Sequence, residues 1–279
     1  MTPPRYRILF VDIDGTLVGD SDDPSARAFA ALERAGRAGC RVVLCTGRSR
    51  HTTRRLAARL GGSHGVLLNG AVIVEWSSGM VLRKTALDPG VVSRAIEVVR
   101  AHGMAPLCFG TRDDDRWIVT DGRAPVHPGY ARHNADRLVW RDDVSVDLED
   151  LPTMVAAYGP PARGRAVAEA ARRALGRSVR VIESVSPRYD CWCTEIHSPE
   201  ADKALAAAAL AERLGVAASE CAAIGDHLND ISLLRWAGLG VAMGDGHPDA
   251  RACADRVTGC LADDGLASAV ERYVLGDGH

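Results

Sequence analysis

Short apolar runs that stop abruptly at small or polar residues recur along this 279-residue chain. Ile8-Leu9-Phe10-Val11 runs into Asp12-Ile13-Asp14-Gly15-Thr16, residues 41–45 into Thr46-Gly47-Arg48, and residues 65–68 into Asn69-Gly70. The C-terminal third repeats the design, with residues 221–224 leading to Gly225-Asp226 and residues 239–243 to Gly244-Asp245. An unbroken apolar run of this length fits a strand covered on both faces, the condition of a parallel sheet. Between the runs lie helical stretches. Residues 24–38 read as one, with Asp23 as N-cap and Pro24 at N1. Residues 51–60 are stopped by Gly61-Gly62, and residues 201–214 by Gly215. Strands alternating with helices over short connections imply right-handed crossovers and an open parallel α/β sheet. Ligands of such sheets bind beyond the carboxyl ends of the strands, so Asp12, Asp14, Thr46, Asn69 and Asp226 converge on one crevice.

Residues 87–187 break the pattern. They read as a helix over 91–102, a hairpin around Arg112 to Arg116, a helix over 163–175 and a strand over 179–182. Such a mixture predicts an inserted α+β domain with its own small sheet. The core is then residues 1–86 and 188–279, and the insert residues 87–187. Before the insert, residues 71–76 and 80–84 flank Ser77-Ser78-Gly79 and read as a hairpin leading out of the core.

Composition narrows the partners. With 47% hydrophobic and 25% charged residues and a net charge of −2, the chain is an ordinary globular one with no field for a polyanion. Nucleic acid is not an expected partner. No apolar signal region opens the sequence and no uninterrupted span has membrane length, so the expectation is a cytoplasmic protein with no membrane partner. Cys40, Cys45, Cys108, Cys221 and Cys253 sit in apolar segments and read as small buried hydrophobes, while Cys191-Trp192-Cys193 lacks the spacing of a zinc knuckle. Of the 34 basic residues, all but Lys84 and Lys203 are arginine; Gln is absent, and Asn occurs only at 69, 134 and 229. Rare residue types merit attention where they coincide with a site.

Two carboxylates at the end of a buried strand do not sit there for stability. On a continuing strand Asp12 and Asp14 point to the same side, and without a cation each raises the other's pKa. An aspartate can attack phosphorus when a divalent metal and cationic donors neutralise the approaching anions. Asp12, emerging first, is the candidate nucleophile and Asp14 the candidate acid/base. Asp226 suits Mg2+, which takes oxygen ligands and keeps several waters; Asp230, four residues on, faces the same way if a helix begins there. The hydroxyl of Thr46 and the neighbouring amides can donate to phosphoryl oxygens, although alone Thr46 reads equally as a helix cap. A compact ammonium at Lys203 can offset charge on nucleophile and phosphoryl group, a task for which arginine is no substitute.

In this order, Asp12-Ile-Asp-Gly-Thr16, Thr46-Gly-Arg48, Lys203 and Gly225-Asp226-x-x-Asn229-Asp230 resemble the four motifs of the haloacid dehalogenase superfamily. Leu68-Asn69-Gly70-Ala71, the run from Gly238 to Gly244, Asp255-x-Val257-Thr258 and Asp264-Gly265 resemble its Cof-type branch. The resemblance implies a Rossmann-like parallel-sheet core with a large inserted α+β cap, and a Mg2+-dependent phosphatase. It implies Asp12 as nucleophile, Asp14 as acid/base, Thr46 and Lys203 as phosphoryl stabilisers, and Mg2+ held by Asp12, Asp226 and the Asp14 carbonyl. Gly15, Gly47, Arg48, Asn69, Gly70 and Asn229 would line the phosphate, with Asp230 supporting. Ala204 stands where the family commonly has Gly, and His227 where the branch often has a small or amide residue. Trp192, Glu195 and His197 fall where the resemblance places substrate contacts, although Trp192 reads equally as core. Arg48 reads as a partner for a second anionic group or for the preceding helix, and residues 112–117 as a solvated hairpin tip or a substrate-reading loop.

The expected function is hydrolysis of a small-metabolite phosphomonoester, a sugar phosphate first among them, through an aspartyl phosphate. Two alternatives stay open: a phosphomutase acting on hexose phosphates, and a phosphosugar-binding regulatory module without turnover.

Overall fold

The structure, a computed structural model, describes residues 5–19, 21, 23–110, 117–144 and 150–276. Five strands come first in the chain: β1 (Ile8–Val11), β2 (Arg41–Cys45), β3 (His64–Leu67), β4 (Val72–Glu75) and β5 (Val81–Lys84). Six follow in the insert: β6 (Leu107–Phe109), β7 (Ile118–Asp121), β8 (Leu138–Arg141), β9 (Met154–Gly159), β10 (Arg180–Ser186) and β11 (Cys191–His197). The last three are β12 (Cys221–Gly225), β13 (Leu239–Ala242) and β14 (Arg256–Val257). The helices in chain order are α1 (Ala26–Arg37), α2 (Arg50–Arg59), α3 (Pro89–Ala101), α4 (Pro128–His133), α5 (Pro161–Leu175), α6 (Lys203–Arg213), α7 (Ile231–Trp236), α8 (Pro248–Cys253) and α9 (Gly265–Ala269).

The described residues form two sheets. The first runs β14-β13-β12-β1-β2-β3-β4-β5. From β14 to β3 its pairings are parallel, and β4 joins antiparallel to β3. The hairpin expected to lead outward therefore extends the sheet, with the Glu75 amide donating to the Met80 carbonyl across its turn. Why β1 is apolar throughout is plain from its two faces. Leu9 and Val11 pack among Leu32, Ile224 and Leu266, while Ile8 and Phe10 pack among Leu210, Leu233 and Leu234. All four side chains are wholly buried, each worth about 1.5–3 kcal/mol. Truncating Phe10 to alanine would cost about 3–5 kcal/mol.

Helix starts differ from expectation where capping groups compete. Ser25, not Asp23, caps α1, its Oγ accepting from the Ala28 amide at 3.0 Å. Asp23 instead meets Arg55 and Arg59. Asp202 caps α6, its Oδ1 accepting from the Ala204 and Leu205 amides.

The chain divides into two compact units, one of Met1–Arg48, Thr52–Arg83 and Asp202–His279, the other of Ser49–His51 and Lys84–Ala201. The second carries the sheet β10-β11-β9-β6-β7-β8. Helices α3 and α5 cover one face of it, where Ile96, Val99 and Val167 meet Cys108, Val155 and Ile196. Its last strand moves the expected boundary. β11 pairs antiparallel with both β10 and β9, so residues 191–197 belong to the second unit and not to the returning core. On that strand Trp192 packs toward α5, under the Arg165 guanidinium at 4.6 Å, which is the packing reading of this residue. Glu195 and His197, on the opposite face by alternation, pair with each other, Oε2 to Nε2, at 3.0 Å. The expected hairpin at residues 112–116 lies outside the described residues. No helix among the described residues is long and apolar enough to cross a membrane, and Cys40, Cys45, Cys108, Cys191, Cys193 and Cys221 are buried free thiols.

Candidate active site

Strand β1 delivers Asp12 to the carboxyl edge of the first sheet, where its amide donates to the Ile224 carbonyl at 3.0 Å. The chain then turns sharply: the amides of Leu17 and Val18 both donate to the Ile13 carbonyl at 2.9 Å, and that of Gly15 to the Val18 carbonyl. Gly15 has φ +83° and lies so close to the Asp226 carboxylate that a Cβ would strike it. The turn brings Thr16, wholly buried, under Asp226, and its Oγ1 donates to Asp226 Oδ1 at 3.0 Å.

Lys203 opens α6 and is 0% exposed, an environment that normally excludes an ammonium. Its Nζ donates to Asp12 Oδ1 and to Asp230 Oδ1, both at 2.6 Å. Burial pulls the ammonium toward neutrality, but the adjacent Asp12 and Asp230 carboxylates outweigh it and the pKa rises. Asp230 is fully committed: its Oδ2 accepts from the amides of Asp226 and His227 at 3.1 and 3.0 Å. Its position follows from a 3₁₀ turn at Leu228–Asp230 that leads into α7.

The acidic cluster is Asp12, Asp226 and Asp230, with one carboxylate oxygen of each within 4.8 Å of the others. Burial raises Asp12 well above the ordinary carboxylate range; Lys203 opposes this, and Asp230 and Asp226 add to it. Asp226 is pushed up to about 6, by burial first and then by Asp230. The carboxylates that raise Asp12 therefore come from the loop after β12 and not from Asp14, as its spacing suggested. Asp14 stands apart because the turn ends the strand alternation: its carboxylate is 62% exposed. Arg48 grips it with both nitrogens, Nε to Oδ2 at 2.9 Å and Nη2 to Oδ1 at 2.6 Å. Arg48 thus meets an anionic group of the site itself, Asp14. A metal role for Asp14 rests on its backbone carbonyl.

Thr46 follows β2 and is wholly buried; its Oγ1 accepts from the Arg48 amide at 3.1 Å, so its own proton remains to be donated. Gly47 faces the Asn69 amide group, 3.2 Å from where a Cβ would sit. Asn229 Nδ2 donates to Asn69 Oδ1 at 2.9 Å, and Gly70 packs against the backbone of Asp202. Asp12, Thr46, Asn69, Lys203, Asp226, Asn229 and Asp230 thus gather at the carboxyl ends of β1, β2, β3 and β12, while Asp14 turns out to Arg48. Two contributors escaped sequence reading. Thr16 holds Asp226, and Asp202 starts the lysine's helix while its Oδ2 accepts from Ser232 Oγ at 2.8 Å. An aspartate immediately before an alanine-rich helical run is an N-cap signal that could have found the second.

Three carboxylates and one ammonium leave two formal negative charges in this buried cluster, the charge a divalent cation would balance. The donors are hard oxygens, which suit Mg2+. With Asp230 taken by the lysine and two amides, Asp12 and Asp226 are the carboxylates that would hold it.

Comparison with known proteins identifies the family. A family profile described as haloacid dehalogenase-like hydrolase matches residues 9–270. The chain is 27% identical to 5-amino-6-(5-phospho-D-ribitylamino)uracil phosphatase YcsE of Bacillus subtilis, over 96% of each chain. It superposes on a haloacid dehalogenase-like hydrolase from Bacteroides thetaiotaomicron with a TM-score of 0.80 at 28% identity, covering 96% of this chain and 99% of that one. TM0651 from Thermotoga maritima gives a TM-score of 0.80 at 25% identity, covering 96% and 97%. The chain belongs to the haloacid dehalogenase-like hydrolases, in the Cof-type branch, and is a phosphatase of that family.

Proposed function

We propose that this phosphatase hydrolyses the phosphomonoester of a small polar metabolite, sugar phosphates foremost, with Mg2+ and through an aspartyl phosphate on Asp12. One observation carries the reading: a wholly buried lysine shared between Asp12 and Asp230, beside Asp226, at the strand ends where a phosphate would arrive. The substrate class draws support from the B. subtilis relative, whose named substrate carries its phosphate on a ribityl chain.

When bound by Asp12, Asp226 and the Asp14 carbonyl, Mg2+ supplies positive charge against the phosphoryl oxygens. Asp12 attacks phosphorus, and its new O–P bond forms as the ester O–P bond breaks. Asp14, once released from Arg48 and protonated, gives its proton to the departing oxygen. The Asp14 carboxylate then takes a proton from a water whose oxygen attacks the same phosphorus; the aspartyl O–P bond breaks, Asp12 is restored and phosphate leaves. Lys203 and the Thr46 hydroxyl stabilise charge on the phosphoryl group in both steps. Arg48 holds Asp14 in the resting site, and Asn229 belongs to the same phosphate surround, together with the backbone at Gly15 and Gly47.

A panel of phosphate esters assayed with Mg2+, comparing the native enzyme with Asp12→Asn, tests this. Asp12→Asn should abolish phosphate release and keep the fold by circular dichroism. Full activity in that variant would refute the mechanism. Phosphorus NMR on a hexose phosphate separates the alternatives: migration of the phosphate without free phosphate would mean a mutase, and binding without turnover a regulatory module.

A further inference from the structure

The segment after β3 holds a backbone that the chemistry above does not use. Leu68, Asn69 and Gly70 have φ of +49°, +56° and +96°, three consecutive residues in the left-handed region. Asparagine tolerates that region and leucine does so poorly, so the surrounding contacts must hold the segment there. Those contacts reach the loops after β2 and β12 and the start of α6. The Asn69 amide donates to the Thr46 carbonyl at 3.0 Å, and the Leu68 amide to the Arg48 carbonyl at 3.1 Å. The Asn69 side chain, 2% exposed, accepts from Asn229 in the loop that carries Asp226 and Asp230. Gly70 lies against Asp202, the cap of the helix that begins with Lys203.

From this geometry we infer that Asn69 is a positioning residue: its side-chain bridge to Asn229 locks the Thr46 loop and the Asp226 loop into one register. The inference rests on the phosphatase reading and revises one part of it. The sequence grouped Asn69 with the phosphate ligands; in the fold its Oδ1 accepts from Asn229 and its backbone amide donates to the Thr46 carbonyl, which ties it to both loops. Its effect on catalysis passes through Thr46 and Asn229. A bridge of this kind changes turnover more than substrate affinity, because misplacing donors matters most in the transition state.

The test is a double-mutant cycle on an aryl phosphate at saturating Mg2+, with Asn69→Gly, Asn229→Ala and the double variant. Glycine keeps the left-handed backbone, so Asn69→Gly removes the side chain alone. Each single variant should lower kcat about 10- to 100-fold with KM changed less than about twofold. The double variant should be no slower than the worse single one, since both remove the same bond. Losses that multiply, or a raised KM at unchanged kcat, would overturn the bridge and make Asn69 a direct substrate contact. Hydrogen exchange gives a second readout that needs no substrate. In Asn229→Ala the Leu68 and Asn69 amides should exchange about tenfold faster, and unchanged exchange there would also overturn the inference. A native enzyme inert toward every ester would sink the phosphatase reading and leave the exchange result to decide the bridge.

Discussion

Replacing Asp226 with asparagine should stabilise the metal-free protein at neutral pH while destroying its response to Mg2+. In the fold, burial and then the neighbouring Asp230 push the Asp226 carboxyl up to about 6, against 3.8 for the free side chain. Between those values the folded state holds a proton that the unfolded chain has released. Stability therefore falls as pH rises through the window from about 4 to about 6, by about 3 kcal/mol in all. Asparagine is nearly isosteric, cannot ionise, and still offers an Oδ1 to the Thr16 hydroxyl. Metal-free Asp226→Asn should thus match the native protein near pH 4 and exceed it by about 3 kcal/mol at pH 7.5, a rise in Tm of at least about 5 °C.

Adding Mg2+ reverses the order. At a free concentration of about 1,000 times Kd the native protein gains about 4.1 kcal/mol, which exceeds the cost of its ionised carboxylate, and the variant gains little. Differential scanning fluorimetry of both proteins, from pH 4 to 8 in chelator and in Mg2+, measures every arm. The difference between the two proteins matters, because acidic groups outside the cluster of Asp12, Asp226 and Asp230 titrate alike in both. A difference independent of pH, or an equal Mg2+ shift in both proteins, would refute the account of this site as a charge-frustrated metal cradle.

Three further outcomes follow from the same contacts. Lys203→Met leaves Asp12 and Asp230 buried without their shared cation and should destabilise the protein by about 3–5 kcal/mol, read by urea titration, with turnover lost. Gly15→Ala places a methyl group against the Asp226 carboxylate at a φ of +83°, so Mg2+ affinity measured by calorimetry should fall at least about tenfold while the second unit's exchange-protected amides are unchanged. Native-state alkylation at pH 7.5 should spare Cys40 and Cys108, whose thiols burial pushes up to about 12, and label only Cys253 and Cys260 by mass spectrometry.

The parallel sheet and its strand ends were legible because each depends on local pattern. A strand covered on both faces must be apolar at every position, and the turn beyond it must be small or polar, so β1, β2 and β12 announce both themselves and their termini. What pairs with what across the fold has no such local trace. Asp14 lies two residues from Asp12, yet the turn carries it out to Arg48, while Asp230, far away in sequence, shares the nucleophile's lysine. Ser25 displaced the expected Asp23 cap because both residue types suit the position, and arginines on α2 gave the aspartate another partner. The insert's boundary failed for a similar reason: nothing local in Cys191–His197 says which sheet it joins, and only its antiparallel neighbours place it in the second one.

Residue rarity carried information on one condition. In a chain with two lysines, Lys84 is paired with Asp150 at a partly exposed position in the second unit, a place an arginine could fill. Lys203 is wholly buried between two carboxylates, each 2.6 Å from one nitrogen. A planar guanidinium delivers its donors as a fork and cannot converge one compact charge on both oxygens. Scarcity alone therefore did not mark the site. It marked the site where a rare residue followed an N-capping aspartate at the head of an alanine-rich helix and the chain's other strand ends left carboxylates in need of a cation. Lys203→Arg should accordingly retain the charge, lose turnover by at least about 100-fold and lower Tm, whereas Lys84→Arg should leave both unchanged. Parallel kinetics and thermal melts of the two variants decide this, and an active Lys203→Arg enzyme would show that charge, not its compactness, is what the two carboxylates require.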